Sequence, residues 1–521
     1  QDSPACSAAL FRWHPPSATG TAMADGPEMP LPPGFEAYSA PASLYDDGAE
    51  EEVDEAEIAE IQSFMASSLG PSGASASSSA PAPRSAAGAE LSRLAAQHVH
   101  ASEATATVEV YDADGEVTNL LDPNMTFEDL GLPEPLLRGI YEMGFVRPSK
   151  IQAAALPLIG CSRAKNMIGQ AQNGSGKTAT FSLALLSVID VNVWLPQAMV
   201  ICPTRELARQ NEAVIAQLGQ FLKVETLLVV PAMERLPRRG EVTQHVLVGT
   251  PGKIADLVKK GIIDTSSIKV FVLDEADVML DQDQQMGPQV TQIRKLMNKD
   301  LQVLFFSATY PDDVRSFAEK LVPQAISIKV RKTDLTVSTV TQMCMHCSSE
   351  AEKLEKLMAL YGAMNVGQSI IFVNARRKAF ALAKDLRDAN HSVSLICGTQ
   401  NSGDERMDPS LRDQVMDEFR NGVTRVLIAT DVLSRGIDVP QVTLVVNYEL
   451  PVHYHEGGVE METYLHRVGR TGRFGLRGIA VNLVTAAQRP MVDSICSFFG
   501  CSIPDMGDDF EALEEKLRLL R

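Results

Sequence analysis

Ala171-Gln172-Asn173-Gly174-Ser175-Gly176-Lys177-Thr178 is the stretch on which the reading of this 521-residue chain turns. A glycine-rich turn of small residues lets successive backbone N–H groups curl around a phosphate. Lys177 can then reach the outer phosphates, and the Thr178 hydroxyl is a ligand for Mg²⁺. The stretch departs from the phosphate-loop pattern G-x-x-x-x-G-K-[ST] only at Ala171, where the side chain stays small.

Downstream of the loop, short β-branched runs alternate with helical segments, the signature of a parallel sheet wound with helices. The runs are residues 198–202, 226–230, 245–248, 269–273 and 302–306, each mostly apolar, as strands buried on both faces must be. Polar residues follow four of these ends: Thr204-Arg205-Glu206, Thr250-Pro251-Gly252, Asp274-Glu275-Ala276-Asp277 and Ser307-Ala308-Thr309. In open α/β sheets ligands bind at that carboxyl edge. Around residues 329–339 the pattern pauses in a charged linker, and a second set of strands follows at 339–345, 369–373, 392–397, 425–429, 443–447 and 478–484. This half lacks a phosphate loop but carries Thr430-Asp431, Arg435-Gly436-Ile437-Asp438 and the basic run His466-Arg467-Val468-Gly469-Arg470-Thr471-Gly472-Arg473.

Upstream, Val108–Tyr111 alternates as a strand, and Leu136, Leu137, Ile140 and Tyr141 recur at helical spacing. Then comes Gly144-Phe145-Val146-Arg147-Pro148-Ser149-Lys150-Ile151-Gln152, where Pro148 turns the chain into a second helix and sets the Gln152 amide near its start. An amide there can read a purine edge. Earlier still the chain is Ala, Ser, Pro, Gly and acid, too poor in apolar surface to offset chain entropy, and a disordered arm is expected over residues 1–105. Two islands within it have helical character, 50–65 with Ile58, Ile61 and Phe64, and 89–99 with Leu91, Leu94 and Ala95. Met23 reads as a natural start, with residues 1–22 a translated leader or processing remnant.

The formal net charge of −19 sits mostly in the N-terminal 120 residues, which hold 19 acidic against 3 basic side chains and leave 47 against 44 for the rest. A near-neutral body is free to carry the basic patches that a polyanion needs. Eight cysteines spread thinly through the chain imply reduced thiols and no disulfide framework. Cys344-Met345-His346-Cys347 has no second ligand pair and reads as part of a strand, and no apolar run reaches the ~20 residues that span a bilayer.

Phosphoryl transfer needs a cradle, a metal, a positioned water and positive charge for the transition state. Gly174, Ser175, Gly176, Lys177 and Thr178 make the cradle, and Thr178 with Asp274 would hold Mg²⁺. Glu275 follows Asp274 and is placed to orient or deprotonate water. Arg470 and Arg473 would bring charge from the second half, so that hydrolysis of ATP requires the two halves to close.

Taken together and in this order, the motifs resemble the DEAD-box family of RNA-dependent ATPases over residues 121–510. The resemblance rests on the 144–152 segment with Phe127 upstream, the phosphate loop, residues 203–208, 250–252, 274–277, 307–309, 430–438 and 466–473. It implies two tandem RecA-like domains, at 106–330 and 339–521, joined by a linker at 331–338. It further implies that Phe127, Phe145 and Gln152 serve adenine, Asp438 the ribose, and Arg470 and Arg473 the γ-phosphate. Arg205, Thr250, Gly252, Arg412 and Thr430 would hold the backbone of single-stranded or short duplex RNA without sequence preference, and Ser307, Thr309 and His466 would couple ATP state to strand separation. Within the family the chain looks most like the branch that remodels messenger RNA–protein particles at the cytoplasmic face of the nuclear pore. Residues 163–168, Val229-Val230-Pro231 in place of paired glycines, and the long 451–463 segment carry that likeness. In that branch an N-terminal helix restrains the ATPase, and a nucleoporin and an inositol-hexakisphosphate-bound activator are partners of a monomeric protein shared by nucleus and cytoplasm. Two other duties of the family, in translation initiation or ribosome assembly, and an ATP-gated RNA clamp with little turnover, stand as alternatives. The chain departs from the family at Cys397-Gly398-Thr399, where a longer polar loop at 400–409 precedes Arg412, and at Lys253, Ser434, Asn173 and Ser175.

Overall fold

The computed structural model describes residues 108–112, 116–117, 125–160, 165–171, 174–233, 235–280, 286–310, 312–322, 324–330, 340–363, 367–397, 409–431, 442–453, 457–472 and 477–507. The acidic arm with its two islands, the 331–338 linker, and the site residues Gln172, Asn173, Asp438 and Arg473 lie outside them.

In the first domain the chain runs β1 (Val108–Tyr111), α1 (Glu134–Glu142), α2 (Lys150–Ile159), β2 (Met167–Gln170), α3 (Lys177–Leu186), β3 (Ala198–Ile201), α4 (Arg205–Leu218), β4 (Thr226–Val229) and β5 (Val246–Gly249). It continues through α5 (Pro251–Lys259), β6 (Val270–Asp274), α6 (Ala276–Leu280), α7 (Met286–Lys295), β7 (Gln302–Ser307), α8 (Asp312–Leu321) and β8 (Ile326–Val330). The strands pair in the order β1-β8-β2-β7-β6-β3-β5-β4, all parallel except the antiparallel β1–β8 edge. Because side chains alternate along a strand, each central strand feeds two cores: Val200, Val270 and Val272 pack on one face, and Met199, Ile201, Phe271 and Leu273 on the other. That double burial is why the runs read as uninterrupted apolar stretches.

The second domain runs β9 (Val340–Cys347), α9 (Glu350–Ala363), β10 (Gln368–Phe372), α10 (Arg376–Asp388), β11 (Val393–Ile396), α11 (Pro409–Arg420), β12 (Val426–Ala429), β13 (Val442–Asn447), α12 (Met461–Val468), β14 (Gly478–Thr485) and α13 (Arg489–Phe499). Its strands order as β11-β12-β10-β13-β14-β9 and all run parallel, again between two cores. In β9, Cys344 and Cys347 stand three residues apart and so join opposite cores, which keeps their thiols from closing on one ion.

The expectation of two parallel sheets wound with helices holds, and two strands correct it in detail. Met167-Ile168-Gly169-Gln170 carries a glycine and a polar end, too little apolar signal to read as a strand, yet it is the strand that delivers the chain to the phosphate loop. Ile326–Val330 alternates with Ser327 and Lys329, so the linker seemed to begin at 329; those residues belong to β8, where Lys329 lies 5.1 Å over the Tyr111 ring of its edge partner.

One close approach sets the packing of α1. A Cβ added at Gly139 would sit 2.2 Å from the Leu218 carbonyl oxygen at the end of α4. Gly139→Ala is therefore expected to lower stability by about 1–3 kcal/mol through overpacking, measured by denaturant unfolding; no loss would show that α1 can shift away freely.

Candidate nucleotide site and interdomain cleft

The phosphate loop leaves β2 and enters α3, and three neighbours fix its shape. Ala171 N–H donates to the Ser307 carbonyl at 3.0 Å, tying the loop's start to the end of β7. Gly176 has φ +94°, a left-handed conformation, and a Cβ there would lie 2.7 Å from Gln152 Nε2 and 3.0 Å from Ser149 Oγ. Ser149 Oγ donates to the Ser175 carbonyl at 2.8 Å, and Gln152 Nε2 donates to the Gly176 carbonyl at 3.4 Å. Ser149 and Gln152 also form a capping box at the start of α2, with Ser149 N–H donating to Gln152 Oε1 at 2.9 Å. The Gln152 amide, expected at a purine edge, is here engaged by the protein on both its atoms. Phe127, expected beside it, is 1% exposed in the core, whereas Phe145 is half-buried and keeps part of its surface open.

Lys177 is buried, and its Nζ donates to the Ala171 carbonyl at 2.8 Å. Asp274 ends β6; its Oδ1 accepts from Glu275 N–H at 3.1 Å and its Oδ2 from Asn211 Nδ2 at 2.7 Å. Burial, then the charge of Glu275, raises Asp274 above the ordinary carboxylate range, against the Asn211 hydrogen bond and the Lys177 charge. A divalent cation beside the carboxylate reverses that balance. Glu275 adopts φ +52°, left-handed backbone that costs a non-glycine residue about 1–3 kcal/mol. Its Oε2 and the Ser175 Oγ are buried polar atoms with no hydrogen-bond partner. Hard oxygen donors, a lysine and unsatisfied polar atoms around a left-handed glycine turn suit a magnesium–nucleotide polyphosphate, so the residues fit ATP and Mg²⁺.

Across the cleft, α12 of the second domain meets this edge. Thr309 Oγ1 donates to Asp277 Oδ2 at 2.5 Å, and His466 Nε2 lies 3.4 Å from the same oxygen. Thr309 N–H donates to Ser307 Oγ at 3.3 Å. Thr309 and His466, expected as coupling residues, thus converge on one carboxylate, and Ser307, expected with them, is tied to it through Thr309. Among the described residues Glu275, Asp277 and His466 bring ligand-type atoms within 4.8 Å of one another. Arg470 is buried, its Nε donating to the His466 carbonyl at 2.9 Å. Arg467, which the basic-run reading did not separate from its neighbours, has a structural task. It is fully buried, donates to Asp431, Asn374 and the Glu449 carbonyl, and stacks on Phe372.

The residues expected to hold RNA divide into two groups. Thr250, Gly252 and Thr430 lie at carboxyl edges of their sheets, Thr250 N–H on the Val229 carbonyl at 3.1 Å and Thr430 N–H on the Ile396 carbonyl at 3.3 Å. Arg205 and Arg412 instead bridge the domains. Arg205 Nη2 donates to Asp413 at 2.6 Å and its Nη1 to the Pro231 carbonyl; Arg412 pairs with buried Glu206 at 2.8 Å. Arg209 adds exposed contacts to Asp413 and Asp417. Asn211 was missed altogether, although a signal existed: it interrupts the apolar stripe Leu207, Ile215, Leu218 of α4.

The DEAD/DEAH box helicase family model matches residues 149–317, and the helicase conserved C-terminal domain matches 352–475. The chain is 42% identical over 400 residues to the ATP-dependent RNA helicase DBP5 of Kluyveromyces lactis, covering 77% of this chain and 83% of the relative. A solved structure of S. cerevisiae Dbp5 bound to RNA and ADP BeF3 superposes with a TM-score of 0.71 at 40% identity, covering 76% of this chain and 99% of that one. A Dbp5 variant bound to Nup159, Gle1, IP6 and ADP matches with a TM-score of 0.55 at 39% identity over 75% of this chain and 99% of that one.

Gly176→Ala places a methyl group against Gln152 in a backbone region that disfavours it. Nucleotide affinity should fall by about 10-fold or more, from ~1–3 kcal/mol of strain, in a titration with a fluorescent nucleotide. Unchanged affinity would mean that the loop binds phosphate in another conformation.

Proposed function

The chain belongs to the DEAD/DEAH box helicase family and is an ATP-dependent RNA helicase, and on that premise we propose that it remodels messenger RNA–protein particles at the nuclear pore, using Mg²⁺ and ATP in the cleft between its two domains. The observation that carries the coupling of the two domains in this reading is the shared Asp277 oxygen. It makes the phosphate-loop domain and the arginine-bearing domain one hydrogen-bonded unit beside Glu275.

Mg²⁺, when bound by Thr178 and Asp274, neutralises polyphosphate charge. The remaining roles belong to side chains. Lys177 exchanges the Ala171 carbonyl for an outer phosphate oxygen. Glu275, with a buried and unpaired Oε2, orients the attacking water and accepts its proton. Arg470, with Arg473 beyond it, supplies charge to the phosphoryl group only while the cleft is closed. Phe145 offers its half-exposed ring to adenine, and Asp438 serves the ribose. Arg205 grips the Asp413 carboxylate through its guanidinium fork, and an RNA phosphate presents the same two-oxygen geometry. RNA binding at Arg205 is therefore an exchange with a domain-bridging contact, which links RNA occupancy to cleft closure. The Dbp5 chains of the solved structures are bound to RNA, Nup159, Gle1 and IP6; carried to this chain, they make its partners RNA, a nucleoporin and an inositol-hexakisphosphate-bound activator.

Steady-state ATP hydrolysis tests the reading, with and without single-stranded RNA, on the whole chain and on a chain starting at Asp122. RNA should stimulate both, and higher activity in the shorter chain would make the acidic arm an inhibitor; no stimulation in either refutes RNA-coupled hydrolysis. Glu275→Gln should keep ATP and RNA binding while turnover drops by about 10²-fold or more, and unchanged hydrolysis would remove Glu275 from its role. Lys177→Ala should weaken ATP binding, with full ATPase activity in that variant refuting the cradle.

A further inference from the structure

Among the buried amides of the first domain that the reaction scheme above does not use, one reaches Asp274. Asn211 sits in α4 at 0% exposure, in line with the apolar residues Leu207, Ile215 and Leu218 that pack the helix on the sheet. A polar side chain in such a stripe is unfavourable unless it is hydrogen-bonded. Its Nδ2 donates to Asp274 Oδ2 at 2.7 Å and lies 3.3 Å from Cys202 Sγ, while its Oδ1 has no partner. A leucine would fill the same space without leaving a buried acceptor unsatisfied. What only the amide supplies is the hydrogen bond to Asp274.

The other oxygen of Asp274 is held by the backbone N–H of Glu275 at 3.1 Å. The carboxylate is thus clamped on both oxygens, once by the adjacent backbone and once by a helix packed on the sheet. We propose that Asn211 is a positioning residue for the magnesium site: it sets the plane of the Asp274 carboxylate, so that the cation is received without reorganisation. This rests on the reading of Asp274 as a Mg²⁺-holding residue. Side chains that orient metal-holding carboxylates typically contribute about 10–100-fold in metal affinity.

The test is ADP affinity measured with and without Mg²⁺, using a fluorescent ADP, in the whole chain and in two variants. In the unaltered chain Mg²⁺ should tighten ADP binding; no tightening would sink the assignment of Asp274 itself, independently of Asn211. Asn211→Leu should keep its Mg²⁺-free ADP affinity, which also reports that the loop is folded, and lose about 10–100-fold of the Mg²⁺-dependent gain. Cys202→Ala disturbs the same packing but spares the hydrogen bond to Asp274, and should keep the full gain. The proposal is overturned if Asn211→Leu keeps the gain, if its affinity falls equally with and without Mg²⁺, or if Cys202→Ala loses as much.

Discussion

One oxygen of Asp277 receives Thr309 from its own domain and His466 from the other, and the remaining geometry of the cleft depends on that meeting. The carboxylate is buried, so the medium around it is less polarisable than water and each hydrogen bond is electrostatically stronger than it would be in solvent. The same burial makes the contact conditional. When His466 is withdrawn, the acid loses a partner and must find water, so separation of the domains carries a cost at this point. A hydrogen bond of 3.4 Å is nonetheless a modest tie, suited to a contact that forms and breaks in each cycle.

Around this junction the interdomain contacts are graded by burial. Glu206 and Arg412 pair at 2.8 Å with side chains 3% and 8% exposed, and neither can be stranded alone without a large desolvation penalty. Arg205 and Asp413 are partly open, at 16% and 18%, and Arg209 and Asp417 are more open still, at 38% and 45%, where an ion pair contributes about 0–1 kcal/mol. Among the described residues these interdomain contacts are charged rather than apolar. Charged groups rehydrate well when they part, and so the interface is built to open. It also holds Arg205, whose guanidinium a phosphate could claim, within the set of contacts that closure uses.

Within the first domain the nucleotide loop is shaped from outside itself. Ser149 and Gln152 support its carbonyls, Ser307 anchors its beginning, and the left-handed turn at Gly176 leaves room for Gln152 where a side chain would intrude. The strained φ of Glu275 and its unpaired Oε2 lie beside Asp274 and are held there by a fully packed sheet. The unpaired Ser175 Oγ and Glu275 Oε2 lie where a charged ligand would satisfy them, while the strands beneath are apolar on both faces.

The alternation of buried strands and helices, the phosphate loop and the acids at strand ends were all legible in the sequence, because each is a local pattern. A run buried on both faces has to be apolar, and a loop that wraps phosphate has to be small and rich in glycine. For the same reason β2 and β8 were illegible: their stability comes from neighbours on the sheet, and their own residues are mixed. Sequence could place Arg205, Arg412, Arg467 and Arg470 among candidates for anions, yet it could not distribute them. That Arg467 is a buried brace, that Arg205 and Arg412 bridge the domains, and that Asn211 meets Asp274 are pairings between residues far apart in the chain. Only the packing of the two sheets decides such pairings, since the energy of a charge or an amide depends on what surrounds it and not on what precedes it in sequence.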